Sequence, residues 1–164
     1  MSILKIILSR KSIRRYENKE IPKDVLDQIV EAGRQSPSAA NRQPYRFVIV
    51  TDAKIKKELK GLLSQFLEKA PVIIVGCANP KAVLTGKWAT IDTTIALENM
   101  VLAAWSLGVG SCWIGSFNEE KIKQALKIPQ DWKVVALVTF GYPAETPKPR
   151  KKKQKDELFS LNQF

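Results

Sequence analysis

The chain has 164 residues, 45% of them hydrophobic, which suits one soluble domain with a sizeable core. It carries 27 Lys and Arg against 16 Asp and Glu, a formal net charge of +11, and it has no histidine. A Ser-His-Asp triad is therefore excluded, the commonest protein general base is missing, and no run approaches the roughly eighteen apolar residues of a membrane span.

Ile3, Leu4, Ile7 and Leu8 form a short helical stripe, too short for a secretory h-region, so a cytoplasmic protein is expected. Arg10 to Tyr16 reads as extended. Pro22 opens a helix with Val25, Leu26, Ile29 and Val30 on one face, and Gly33 is its expected stop. A loop of small and polar residues, Ser36 to Pro44, leads into a strand from Arg46 to Thr51. Asp52 caps a lysine-rich helix that turns Ile55, Leu59, Leu62, Leu63 and Phe66 inward and is broken by Pro71. Val72 to Cys77 is a buried strand, and Ala78 to Lys87 a loop.

The next helix, Trp88 to Leu107, is apolar around almost its whole circumference through Ile91, Ile95, Leu97, Met100, Val101, Leu102, Ala104, Trp105 and Leu107. Such a helix needs cover on every side, and one small domain has few layers to give, so a subunit interface is expected. Gly108-Val109-Gly110 ends it, and Ser111 to Ile114 is a short strand. A helix from Asn118 to Leu126 stops at Pro129, and Trp132 to Phe140 is the last strand. From Pro143 the chain is a Pro- and Lys-rich tail that still carries Leu158, Phe159, Leu161 and Phe164, so it is expected to dock on a surface. Helices interleaved with about four strands indicate a three-layer or α+β arrangement around a mixed sheet, with residues 1–164 forming one domain. Cys77 and Cys112 lie in apolar runs and read as buried free thiols.

The basic residues form two clusters. Arg10, Lys11, Arg14 and Arg15 crowd the start, while Lys148, Arg150, Lys151, Lys152, Lys153 and Lys155 crowd the end. They suit a phosphorylated ligand as well as a polynucleotide. In an extended Arg10–Arg14 segment, Arg10, Ser12 and Arg14 share one side and Ile13 faces the other. Two guanidiniums and a hydroxyl make an anion cradle, and Ile13 can anchor it in the core. The Ser36–Pro44 loop lets a flat ligand approach closely, and Asn41 and Gln43 offer amide donors and acceptors. No Walker A or G-x-G-x-x-G pattern occurs, and two scattered cysteines do not make a zinc site, so a bound cofactor is the expected source of any reactivity.

Four segments in fixed order, Arg10 to Arg14, Ser36 to Pro44, Gly108 to Gly115 and Gly141-Tyr142-Pro143 before a basic tail, resemble the FMN-dependent nitroreductase family. The resemblance runs from about Arg10 to Lys152. It implies an α+β fold with a central mixed, mainly antiparallel sheet flanked by helices, in an intertwined homodimer with FMN at the interface. It further implies that Arg10, Ser12 and Arg14 hold the phosphate and ribityl chain. Pro37, Ser38, Asn41 and Gln43 would meet the flavin from the partner subunit, and Trp113, Ile114 and Gly115 would face the ring. Lys148 and Arg150 would complete the phosphate site, and residues 143–164 would wrap the partner.

The implied activity is hydride transfer from NADH or NADPH through FMN to a nitroaromatic, quinone or similar small acceptor, with no nucleic acid, membrane or metal involved. Larger members carry a Glu beside the ring-facing glycine, whereas here the run is Trp113-Ile114-Gly115-Ser116, which leaves a backbone N–H to serve the flavin. The Cys77–Trp88 stretch is also too short for the helical excursion that covers the flavin in larger members. A dehalogenase or dehydrogenase on the same scaffold, an FMN carrier without turnover, and a basic nucleic-acid-binding protein are the other readings.

Overall fold

The computed structural model describes residues 2–61, 64–82 and 84–164. Helices α1 (Ile3–Ser9) and α2 (Lys23–Arg34) precede strand β1 (Tyr45–Val50). Helix α3 (Ala53–Leu59), β2 (Val72–Ala78), α4 (Ala89–Ser106), β3 (Gly110–Ile114), α5 (Glu119–Leu126) and β4 (Lys133–Gly141) follow, with short 3-10 turns at Ala39–Asn41, Gln65–Lys69 and Gly86–Trp88. The strands form one sheet in the order β1-β2-β4-β3, and every neighbouring pair is antiparallel. The sheet, expected to be mixed and mainly antiparallel, is antiparallel throughout; among the described residues an isolated bridge between Ser12 and Ser111 is parallel.

Side-chain alternation builds two cores. Val72 and Ile74 of β2 join Ala136, Val138 and Phe140 of β4 on the face covered by α2 and α4. Ile73, Val75 and Cys77 join Leu137 on the other face, under Leu59 of α3 and Ile122 of α5. Burying each such aliphatic side chain contributes about 1.5–3 kcal/mol. A bulge shifts the register between Gly76 and Cys77, leaving Val135 as the extra residue between Val134 and Ala136.

Several element ends differ from those read in the sequence. Gly33 does not stop α2; a Cβ there would sit 2.0 Å from Met100 Cε, so the glycine lets α4 cross closely. Helix α3 ends at Leu59 rather than at Pro71. Gly61 disfavours helix, and its N–H donates to Ser64 Oγ at 3.0 Å in a turn instead; Leu62 and Leu63 lie outside the described residues. Helix α5 ends at Leu126 as expected, closed by Lys127 at a left-handed φ of 53° rather than by Pro129.

Three segments carry apolar side chains that one chain leaves exposed. In α1 only Ile6 is buried, and Ile3, Leu4, Ile7 and Leu8 lie exposed. Helix α4 buries Leu97, Met100, Val101 and Ala104 but leaves Ile91 48% and Ile95 36% exposed. The tail touches the body near its start, but residues 148–164 are all exposed, with Leu158, Phe159 and Leu161 more than half exposed. No helix among the described residues is long and apolar enough to cross a membrane.

Candidate functional site

The first half of the site is built on β3. The Ile13 N–H donates to the Ser111 carbonyl at 2.9 Å, and the adjacent Ser12–Ser111 bridge lays the Arg10–Arg14 segment along the strand. Ile13 is 1% exposed and packs on Gly110, where an added Cβ would meet Ile13 Cγ1 at 2.6 Å. That anchor leaves Arg10 and Ser12 half-buried and Arg14 exposed. Burial pushes the Cys112 thiol up, while the Arg14 guanidinium, the Ser12 hydroxyl and the Arg10 guanidinium pull it back. A cleft of about 150 Å³ joins Arg14 to Cys112, Trp113, Ile114, Gly115 and Ser116. Nothing lies within 4 Å of a Cβ placed on Gly115, so its backbone is open to a ligand.

Two further contacts fix this half. The Trp113 indole N–H donates to Glu98 Oε2 at 2.9 Å, tying β3 to α4. Glu145 accepts the Arg14 N–H at 2.7 Å and the Arg15 N–H at 3.1 Å, and those N–H groups, Arg14 first, hold its carboxyl below the usual range. The Ala144 N–H donates to the Arg15 carbonyl at 3.0 Å, so the tail begins against the cradle. Lys148 is three residues past Glu145, within about 10 Å of extended chain. Lys148 and Arg150 are exposed, and neither makes a hydrogen bond or ion pair among the described residues.

The second half is the Pro37–Gln43 loop. Ala40, Asn41 and Gln43 adopt φ of 49°, 53° and 50°. None is glycine, and such left-handed backbone costs roughly 1–2 kcal/mol for an ordinary L-residue. Ser38 Oγ accepts the Gln43 N–H at 3.0 Å, and the Gln43 side chain donates back to the Asn41 carbonyl at 3.0 Å. Asp92 of α4, 4% exposed, accepts the Ala39 N–H through both oxygens at 3.2 Å. Asn99 Nδ2 donates to Ser36 Oγ at 2.7 Å. The buried hydroxyls of Tyr45 and Thr85 have no hydrogen-bond partner among the described residues. Burial, and then the Asp92 charge, pushes the Tyr45 hydroxyl up.

The two halves do not meet in one chain. The loop opens β1, and the cradle rests on β3, at the opposite edge of the sheet. Three inter-strand steps of about 4.8 Å put them some 14 Å apart across the sheet alone. The Arg10–Arg14 segment lies along β3, and its Arg14 shares a cleft with Trp113, Ile114 and Gly115; Pro37, Ser38, Asn41 and Gln43 form a separate group. Sequence reading missed Asp92, Glu98 and Asn99. Their signal was there: they interrupt an otherwise apolar helix, and on a buried helix a polar residue needs a partner.

The chemistry of the first half fits a flat ligand with a phosphate: guanidiniums and a hydroxyl at one end, open backbone at the other. The family model described as Nitroreductase family matches residues 7–73 and 58–142. A protein of Archaeoglobus fulgidus, provisionally named NADH dehydrogenase/NAD(P)H nitroreductase, is 36% identical over 150 residues, spanning 87% of this chain and 86% of that protein. The crystal structure of a nitroreductase family protein from Clostridium novyi NT is 38% identical, with a TM-score of 0.81 and 87% of each chain covered. An FMN-dependent nitroreductase from Clostridium difficile R20291 is 28% identical, with a TM-score of 0.87 over 98% of this chain and 99% of its own.

Proposed function

Because the chain belongs to the nitroreductase family, we propose that it is a cytoplasmic, homodimeric FMN oxidoreductase that draws on NAD(P)H to reduce a nitroaromatic, quinone or similar small acceptor. The observation that carries this reading is the Arg10–Arg14 segment laid along β3, with Arg14 sharing a cleft with the open Gly115 end of the strand. Bound FMN supplies reversible two-electron chemistry, so donor and acceptor are handled one after the other, by a ping-pong mechanism.

The residues then have distinct tasks. Arg10, Ser12 and Arg14 bind the phosphate and ribityl chain, with Lys148 and Arg150 adding charge from the tail. Backbone N–H groups at Ile114 and Gly115 donate to the ring, in place of the side chain that larger members carry there. Pro37, Ser38, Asn41 and Gln43 of the partner subunit's loop close over the ring, which reconciles two half-sites on opposite sheet edges. The exposed Ile91 and Ile95 on α4, with the α1 stripe, supply the apolar face on which two copies meet, and each tail crosses to the partner. No side chain needs to act as nucleophile or general base.

The test is direct. The purified protein is yellow, retains FMN, and turns over NADH or NADPH with parallel double-reciprocal lines for a quinone or nitroarene acceptor. A colourless protein that binds no added FMN, or one whose flavin NAD(P)H fails to reduce, contradicts the proposal.

A further inference from the structure

Asp92 sits where α4 has no need of it. The helix runs Ala89–Ser106, so Asp92 is its fourth residue, beyond the capping position, and it does not cap its own helix. Its carboxylate is 4% exposed, forms no ion pair among the described residues, and spends both oxygens on one N–H, that of Ala39. A carboxylate buried without a cation is costly, and among the described residues the local compensation is the positive end of the α4 dipole and that N–H. The recipient is the loop that holds three non-glycine residues at positive φ. Such a conformation persists only where its surroundings over-determine it.

A second contact acts with the first. Asn99 is seven residues on, two helical turns along the same face, and it binds Ser36 Oγ, which in turn donates to the Ala32 carbonyl at 3.1 Å. Helix α4 therefore grips the loop at Ser36 and again at Ala39. Asp92 and Asn99 are, with Glu98, which holds Trp113, the charged and amide residues of this helix.

We propose that Asp92 is a positioning residue: through the Ala39 N–H it holds the Pro37–Gln43 loop in its strained form, the form that meets the flavin ring. The proposal rests on the flavoenzyme reading above. It makes a demand that a general stability role does not. The loop serves the ring and the cradle serves the phosphate, so loss of Asp92 weakens FMN and riboflavin by the same factor.

The experiment measures amide hydrogen exchange at residues 39–43 in flavin-free protein, then FMN and riboflavin affinities by flavin fluorescence. It uses wild type, Asp92→Ala and Asp92→Asn. Asp92→Ala is expected to speed exchange in the loop and weaken both flavins about tenfold, with a changed visible circular dichroism of the bound flavin. Asp92→Asn keeps an oxygen for the Ala39 N–H and recovers most of the loss. Ala39→Pro removes the same hydrogen bond from the other side; it gives the same paired loss and stands in if Asp92→Ala does not fold. Wild-type affinity in either variant, or a loss confined to FMN, overturns the proposal. Faster exchange in a chain whose wild type binds no flavin leaves the clamp standing but overturns its role toward a ring, and that failure belongs to the flavoenzyme reading.

Discussion

The Ile13 N–H and the Ser111 carbonyl, 2.9 Å apart, lock the cradle to the sheet. Everything proposed for the phosphate end depends on that bond, because it fixes which side of the segment faces the core. With Ile13 turned in, Arg10, Ser12 and Arg14 have one side left, and it is the side next to Cys112.

Removing either guanidinium should therefore be specific to the phosphate. Arg10→Ala or Arg14→Ala is expected to weaken FMN by about 1.5–3 kcal/mol, the range for a hydrogen bond to a charged group, and to leave riboflavin almost unchanged. Titration of each variant with both flavins checks this. Equal affinity of the wild type for FMN and riboflavin would refute the cradle.

Gly110→Ala tests the anchor rather than the cradle. The new methyl would lie 2.6 Å from Ile13 Cγ1 and 3.0 Å from Pro143 Cγ, so Ile13 must move. A stability loss of about 1–3 kcal/mol is expected from overpacking, with a parallel loss of FMN affinity as the arginines shift. Denaturant unfolding and flavin titration on the same variant separate the two effects. A destabilised variant with wild-type FMN affinity would show that the anchor does not set the cradle.

Glu145 gives a pH signature. Its carboxyl is held below the usual range by the Arg14 N–H foremost, then by the Arg15 N–H and charge. A group with a depressed folded pKa stabilises the fold above its unfolded value, near 4.5, and that contribution disappears as pH falls through the folded value. Glu145→Gln should be less stable than wild type at pH 7, and the difference should close below about pH 4. Thermal melts of the two proteins from pH 7 to pH 3 read this out. A gap that persists unchanged into acid would mean that charge is not what Glu145 contributes.

Much of this architecture is legible in the sequence, for identifiable reasons. The strands of the buried sheet are β-branched runs between turn residues, so Val72–Cys77 falls within one residue of β2. Ile13 between Ser12 and Arg14 already showed the cradle's polarity. Two features stayed hidden. Gly33 reads as a helix stop because local propensity favours that role, and only the Met100 side chain across the interface reveals the packing one. Asp92 stands out as a charge on a largely apolar helix, but its partner does not, because the Ala39 N–H is 53 residues away and belongs to the backbone. Local patterns carry elements and faces; they do not carry which loop a buried carboxylate will find.

The two thiols are expected to be structural. Burial pushes Cys77 up to about 11 and raises Cys112 as well, so neither is a ready thiolate at neutral pH. Cys112→Ala should keep FMN and turnover, losing about 1 kcal/mol as a small core truncation. Fast labelling of either thiol in the native protein, with loss of activity, would contradict this.

The central claim is that each flavin lies between two chains, the cradle of one and the loop of the other. Co-expression of an Arg10→Ala/Arg14→Ala chain with an Asn41→Ala/Gln43→Ala chain under different tags isolates the mixed dimer. One of its sites then combines both lesions, and the other combines an intact cradle with an intact loop. The measurement is FMN content of the mixed dimer against each pure variant. The shared-site account predicts one tightly held FMN per mixed dimer and weak retention in both pure variants. A mixed dimer as empty as its parents would show that each chain builds its site alone.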